Sequence, residues 1–127
     1  MSVSRVAAVA ALFVLIGAPA APAAAQPAQL TVQLWNFGFG PQPIRLAAGK
    51  PVTLTFVNQS GSGHDFAAPG FFQHARILAG AAPGGAVDLE GDETRSITLI
   101  PAAGTYSVHC SHFLHKQMGM IDTIVVS

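Results

Sequence analysis

The chain has 127 residues, of which half are hydrophobic and only 9% are charged, and six Lys or Arg balance six Asp or Glu. This balance argues against nucleic acid and anionic membrane surfaces as partners, because both attract basic proteins. The length suits one domain with a single hydrophobic core, and it is too short for two.

The first 25 residues have the three regions of a secretory signal. Arg5 is followed by the apolar run VAAVAALFVLIGA and then by APAAAQ, whose A-x-A pattern ends at Ala25. The apolar run is shorter than the roughly 20 residues that span a bilayer, so a retained membrane anchor is the weaker interpretation. We therefore predict a signal peptide at residues 1–25, a mature domain at residues 26–127, export to the periplasm, and no stable membrane insertion after cleavage.

The mature domain is predicted to consist almost entirely of short strands and turns. Each strand-like run is rich in Val, Ile, Thr and aromatic residues and is bounded by Gly, Pro or Asn. The runs lie at residues 31–37, 43–49, 51–58, 95–100, 105–110 and 120–126. Residues 69–93 are predicted to form a long loop with a helical turn at residues 71–78. Strands at this spacing favour an all-β sandwich with antiparallel strands.

Cys110 is the only cysteine, and it stands at the end of a predicted strand. If Tyr106 and Val108 face the core, alternation also directs Cys110 inward and His109 outward. Cysteines in an oxidising compartment normally pair, and Cys110 has no second cysteine in its own chain. A buried free thiol, a disulfide to another chain and a metal thiolate all remain open.

A ligand pattern of the form C-x4-H-x4-M begins at this cysteine, with His115 and Met120 as its later members. A thiolate, an imidazole and a thioether are three of the ligands of a blue-copper site, which uses two histidines, one cysteine and a weak axial methionine. His64, in the turn NQSGSGHDF, precedes every other histidine and is the candidate for the fourth ligand. Met118 is the alternative to Met120.

Residues 29–126 resemble the cupredoxins, the small blue-copper proteins that include plastocyanin and azurin. The resemblance rests on NFGFGPQPIRLAAGKPVTLTFVN, on GHDF, and on YSVHCSHFLHKQMGMIDTIVV, in which the C-x4-H-x4-M spacing is like that of auracyanin and rusticyanin. It implies a Greek-key β-sandwich of seven to eight strands and one-electron transfer rather than enzyme catalysis. It also implies one type 1 copper ion held by His64, Cys110, His115 and Met120.

Two features depart from the family pattern. Members often have Asn directly after the upstream histidine, where it ties the two ligand loops together, whereas this chain has Asp65. The Asp65 carboxylate would either lower the copper potential or turn away and bond backbone amides. His109 and His112 flank Cys110 as histidines do in multicopper oxidases, but Ser111 follows the cysteine and the sequence has no H-x-H pair. We therefore predict neither a trinuclear cluster nor oxygen reduction.

Several other residues receive structural interpretations. The aromatic residues predicted to lie in the core, rather than to relay electrons, are Trp35, Phe37 and Phe39. The histidines predicted to be solvated or structural are His74, His109 and His112. The candidates for supporting the site are Asn58, Gly63 and Phe66.

A redox protein is the predicted partner, and a monomer is the predicted state. Because the net charge is near zero, the partner would dock on an apolar surface near His115, formed by Phe113, Leu114 and residues 66–72.

The alternative function is that of a copper-handling protein, either a chaperone or a resistance binder. Spare ligands at His109, His112 and Met118 favour it, because metal exchange benefits from exposed donors. A thiol-dependent enzyme that uses Cys110 is the weakest interpretation, since the sequence shows no acidic partner or oxyanion pattern for it.

Overall fold

The fold is taken from a computed structural model that describes residues 2, 4, 7–17, 26–112 and 119–127. Residues 7–17 form neither helix nor strand, and their large apolar side chains are exposed. In the described part of the chain, no helix combines the length and the apolar character needed to cross a membrane. The signal peptide at residues 1–25 stays a prediction.

Among the described residues, ten strands in two sheets confirm the predicted all-β sandwich, and they exceed the seven to eight strands that the resemblance implies. In chain order the strands are β1 (Ala28–Trp35), β2 (Gly38–Gly40), β3 (Ile44–Leu46), β4 (Val52–Asn58), β5 (His64–Ala67), β6 (Arg76–Ala79), β7 (Ala86–Leu89), β8 (Thr94–Ile100), β9 (Gly104–His109) and β10 (Ile121–Val126). One sheet has the order β2-β1-β4-β8-β6 and the other the order β3-β10-β9-β5-β7. β1 pairs with β4, and β3 with β10, in parallel, whereas the other pairs are antiparallel.

Alternation along β4 shows why its sequence forms a core strand. Val52, Leu54 and Phe56 are buried on one face, as the period of two in VTLTFVN predicts. On the other face the hydroxyl groups of Thr53 and Thr98, from β4 and β8, lie 2.8 Å apart. Such cross-strand pairs stabilise the register of a sheet.

The centre of the core is a group of phenylalanine rings around Phe66. The ring centroid of Phe66 lies 4.8 Å from that of Phe56, 5.6 Å from that of Phe39 and 6.2 Å from that of Phe72. These distances are typical of aromatic pairs that add stability beyond the area they bury. Phe66 on β5 and Phe72 in the helix that follows it are therefore part of the core.

The core prediction was right for Phe39 but wrong for Trp35 and Phe37. Trp35 is 40% exposed and Phe37 is 49% exposed. Trp35 follows the buried Leu34 and so lies on the outer face of β1, where its ring covers the glycines of β2. A Cβ atom on Gly38 would lie only 2.6 Å from this ring, so the close approach requires glycine. Hydrophobicity alone did not indicate which face the ring occupies.

The segment after β5 differs from its prediction. The helix α1 (Pro69–His74) begins with proline in its first turn, where the fixed φ of proline suits a helix. The predicted helical turn extended to residue 78, and this part is wrong because Arg76–Ala79 pairs with β8 as the strand β6. The free edge of β8 offers backbone groups for pairing, which is a tertiary effect that local sequence does not report.

Candidate metal centre

The ends of β9 and β10 place Cys110 opposite Met120. His109 pairs with Ile121, and the N–H of Cys110 donates to the carbonyl of Met120 at 3.1 Å. Both side chains are fully buried, as is Val108 two residues earlier, so the predicted inward phase of Cys110 is confirmed. The thiol and the thioether therefore lie at the same end of the core.

His64 reaches this end of the core from β5. Its side chain is 1% exposed, and its Nδ1 atom lies 3.9 Å from Sγ of Cys110. On the other side of the ring, Nε2 lies 3.1 Å from Oδ1 of Asn36, in the turn between β1 and β2. A carboxamide oxygen only accepts, so Nε2 donates and Nδ1 presents its lone pair toward the thiol. Coordination of a metal ion through Nδ1 would need this tautomer.

Asn58 fixes the turn that leads to His64. Its Nδ2 group donates to the carbonyls of Ser62 and Glu90, at 2.8 and 2.9 Å. Its Oδ1 atom accepts from the N–H and the hydroxyl of Ser60, at 3.1 and 2.9 Å. Asn58 is buried, so its two bonds with Ser60 are shielded from water and the other two are partly shielded. The protein's own hydrogen bonds therefore build the turn that positions His64.

Asp65 joins the two ligand-bearing regions. The N–H of Ser111 donates to Oδ1 of Asp65 at 2.6 Å, and the Ser111 hydroxyl donates to Oδ2. Of the two predicted orientations, the structure shows the one in which the carboxylate bonds a backbone amide. Asp65 thus makes the tie that the resemblance assigns to Asn, because both of its oxygens accept and Ser111 supplies two donors.

The surroundings of the Cys110 sulfur determine whether it is protonated. Burial raises the pKa of the Cys110 thiol, and hydrogen bonds from the backbone N–H groups of Asp65 and His112 partly offset this rise. The metal-free protein therefore keeps the thiol protonated at neutral pH. A metal ion bound here would displace that proton, and the two N–H donors would then stabilise the charge on the sulfur.

A second histidine lies beside the thiol. A ring nitrogen of His112, Sγ of Cys110 and a carboxylate oxygen of Asp65 all lie within 4.8 Å of one another. The Nε2 atom of His112 is also 3.5 Å from Oδ1 of Asp88. His112 was predicted to be a surface or structural group. The pairing of β5 with β7 places Asp88 beside Asp65, in segments that the sequence predicts to be a turn and a loop.

Residues 113–118 lie outside the described residues. They include the predicted ligand His115, the alternative axial ligand Met118, and two residues of the predicted docking surface, Phe113 and Leu114. Their roles stay predictions.

The other part of the predicted docking surface is wrong, because its phenylalanines are buried in the core. The buried rings are Phe66, Phe71 and Phe72. Phe37 is an exposed aromatic residue at this end, and its carbonyl oxygen lies 3.9 Å from the position that a Cβ atom of Gly119 would occupy. Phe37 also has a φ of 73°, which is unusual for a bulky side chain and often marks a functional turn.

The described donors fit copper. A thiol, an imidazole lone pair and a thioether are soft or intermediate ligands, which copper prefers. Calcium and magnesium instead take oxygen ligands. Cys110, His64 and Met120 are all shielded from water, so a metal between them would be held by side chains rather than by solvent.

A family model described as a cupredoxin-like domain matches residues 5–125. The chain belongs to the cupredoxin-like family. This match confirms the resemblance drawn from the sequence. A comparison with curated proteins gave no match.

Solved structures of cupredoxins share the fold. Dithionite-reduced auracyanin from the photosynthetic bacterium Roseiflexus castenholzii has 18% identity and a TM-score of 0.61, over 81% of this chain and 99% of that chain. Auracyanin B has 25% identity and a TM-score of 0.57, over 82% of this chain and 92% of that one. A multicopper oxidase from Campylobacter jejuni, at 11% identity and a TM-score of 0.62, matches 83% of this chain but only 31% of its own.

Proposed function

We propose that this cupredoxin carries single electrons by means of one type 1 copper ion held by His64, Cys110, His115 and Met120. The observation that carries the proposal is the approach of the His64 Nδ1 atom to 3.9 Å from the Cys110 Sγ atom in a space closed to water. When bound, copper supplies a one-electron couple between Cu(I) and Cu(II). The structural likeness to two auracyanins supports the same role.

The protein frame supplies what an electron carrier needs from its residues. Asn58 holds the turn before His64, and Asp65 holds Ser111 directly after the cysteine ligand. Donor positions fixed in this way change little between oxidation states, which keeps the cost of reorganisation low. A carrier built like this performs no catalysis of its own.

A redox protein is the proposed partner, and it docks on the apolar end of the sandwich near His115. The exposed ring of Phe37 supports this surface, because its turn lies beside Gly119 at the end of the ligand loop. The net charge near zero provides little long-range steering, so short-range apolar contact dominates docking. We propose that export after cleavage of residues 1–25 brings the carrier to this partner in the periplasm, where it acts as a monomer.

The visible spectrum of the mature protein with Cu(II) tests the proposal. We expect one equivalent of copper and an intense blue or green band from thiolate charge transfer. Cys110→Ser should remove this band from a folded protein, because a hydroxyl is a much weaker donor, whereas His74→Ala at an exposed position should keep it. A wild-type protein without the intense band, or a Cys110→Ser variant that keeps it, would contradict the proposal.

Copper handling is the second candidate function. The observation that favours it is the position of His112 and Asp65 beside Cys110, which places additional donors next to the proposed ligands. Transfer of copper to a competing chelator separates the two functions. A carrier keeps its copper in both oxidation states, and a copper-handling protein releases it within the time of the experiment.

A further inference from the structure

We propose, on the basis of the copper centre proposed above, that Asp65, Asp88 and His112 form a capture site for copper. This site takes the ion from solvent at the outer edge of β5 and β7 and passes it to Cys110. The capture site is distinct from the final ligand set because none of its three residues belongs to that set, and the two sites meet at Cys110.

The first observation is the mixed donor cluster itself. The candidate ligand atoms of Asp65, Cys110 and His112 lie within 4.8 Å of one another. Ligand atoms around a tetrahedral metal ion with bonds of 2.0 to 2.3 Å lie about 3 to 4 Å apart, so small side-chain movements suffice to bind one ion. Sulfur, nitrogen and oxygen together suit copper better than a hard cation.

The second observation is a like-charge pair that the strand register imposes. Asp65 on β5 is the direct partner of Asp88 on β7, so both carboxylates lie on the same face of the sheet. Like charges directly opposite each other destabilise a strand pair. A cation bound between them, with the His112 ring 3.5 Å from Asp88, would remove this cost.

Exposure falls in steps from the solvent to the sulfur. The Asp88 side chain is 81% exposed, that of His112 is 37% exposed, and Cys110 is fully buried. An aquated ion must exchange water for protein ligands before it enters a closed site, and the graded exposure allows this exchange to occur one ligand at a time. His112 is placed to make the transfer because its Nε2 atom lies 3.5 Å from Oδ1 of Asp88 and a ring nitrogen lies within 4.8 Å of Sγ of Cys110.

An open depression of about 370 Å³ gives an aquated ion access to the two carboxylates. Asp65 and Asp88 line it together with Arg95. Arg95 is the cation on this wall, and its Nε atom donates to Glu93 at 2.9 Å, so its charge is already paired. The carboxylates therefore set the sign of the potential that an incoming ion meets.

Rapid mixing of the metal-free protein with Cu(II) tests the capture site through the rate at which the thiolate band appears. We expect His112→Ala to slow this rate about tenfold, and Asp88→Asn to slow it less, with the final band intensity unchanged. The matched controls are His74→Ala and Glu90→Gln, whose exposed side chains lie outside the donor cluster, and they should react at the wild-type rate. The capture site is overturned if His112→Ala matches the wild type, or if the controls are slowed equally.

Zinc binding gives a readout that does not depend on the copper centre. In His64→Gln, which lacks one proposed copper ligand, Zn²⁺ should shift the NMR signals of the His112 ring and of Asp88, and saturate at one equivalent. Asp88→Asn in the same background should weaken this binding about tenfold. Unmoved His112 signals would overturn the capture site. A wild-type protein that shows no thiolate band but binds Zn²⁺ in this way would instead defeat the proposed function alone.

Discussion

The region around His64 and the region around Cys110 are held in different ways. The Asn58 side chain makes four hydrogen bonds that hold the turn before His64, two of them buried and two partly buried. On the other side, the described part of the Cys110 region is tied by Asp65 through Ser111 and by the backbone bond to Met120. The upstream region is therefore held by a network of side-chain bonds, whereas the described downstream region depends on Asp65 and on one backbone bond.

Substitution of Asn58, in the upstream region, should have the largest effect on the stability of the protein. In Asn58→Leu the buried groups of Ser60 and the partly buried carbonyls of Ser62 and Glu90 lose their partner, and we expect a loss of about 3 kcal/mol in the free energy of unfolding. Urea denaturation of the metal-free protein measures it. Gln59→Leu, at the exposed neighbouring position, should change this free energy by less than about 0.5 kcal/mol. Equal stability of the two variants would show that the turn does not support the fold.

Asn36 is the point at which the upstream region can be altered without loss of the fold, because it lies at an exposed turn. Asn36→Leu removes the acceptor for Nε2 of His64, so the ring can adopt the other tautomer. We expect copper affinity to fall by about tenfold. Asn36→Asp keeps an acceptor oxygen and should retain the affinity.

Two measurements check this prediction, namely Cu(I) competition with a chelator and the ¹⁵N shifts of the His64 ring in the metal-free protein. If Asn36→Leu leaves both unchanged, Asn36 does not orient His64.

Loss of a hydrogen bond between Asp65 and Ser111, in the downstream region, should lower the stability by a smaller amount. Ser111→Ala removes the hydroxyl donor and keeps the backbone donor, so we expect a loss of about 1 kcal/mol in the free energy of unfolding. Asp65→Asn introduces the residue that the family often has, and it should keep stability within about 0.5 kcal/mol of the wild type. If Asp65→Asn lowers the free energy of unfolding more than Ser111→Ala does, the charge of the carboxylate, rather than its hydrogen bonds to Ser111, stabilises this region.

Substitution of Asp122 should change the stability the least, and the size of this change depends on pH. Among the described residues, Oδ2 of Asp122 is a buried side-chain oxygen without a hydrogen-bond partner, and burial raises the pKa of Asp122 from 3.8 to about 6. A raised folded-state pKa contributes stability below about pH 4, and this contribution is lost as the pH rises through about 6. Asp122→Asn should therefore stabilise the protein at pH 7.5 by about 1 kcal/mol, a value reduced for partial solvent screening, and by close to zero at pH 4.

Thermal unfolding of the metal-free protein at the two pH values measures this difference. Asp92→Asn at an exposed turn is the control. A gain that is the same at both pH values would exclude the ionised Asp122 carboxylate as its cause.

Local patterns predicted the strands that form the centre of each sheet. The alternation in β4 and β9 is contained within each segment, so the buried faces of Val108 and Cys110 followed directly from the sequence. The strands β5, β6 and β7 were not predicted, because each has only four residues and exists through pairing with distant partners. Strand propensity over four residues is too weak to identify such elements.

The same distinction applies to the candidate site. The residue types and the C-x4-H-x4-M spacing indicated copper, because soft donors at fixed intervals are a local signal. The contact between Asn36 and His64 spans 28 residues, and the approach of Asp88 to His112 depends on the register of β5 and β7. Such contacts arise only when the chain is folded, so single-sequence reasoning has no means to find them.

The lengths of the edge strands bear on how this protein behaves at high concentration. β2 and β3 have three residues each, and β6 and β7 have four, so every edge of the two sheets is short. The register of β6 also shifts between Ile77 and Ala79, which interrupts the row of backbone groups next to the exposed Leu78. Short and irregular edges offer little template for a strand from another molecule. The sandwich thereby limits aggregation through sheet extension, even though its edges carry apolar side chains.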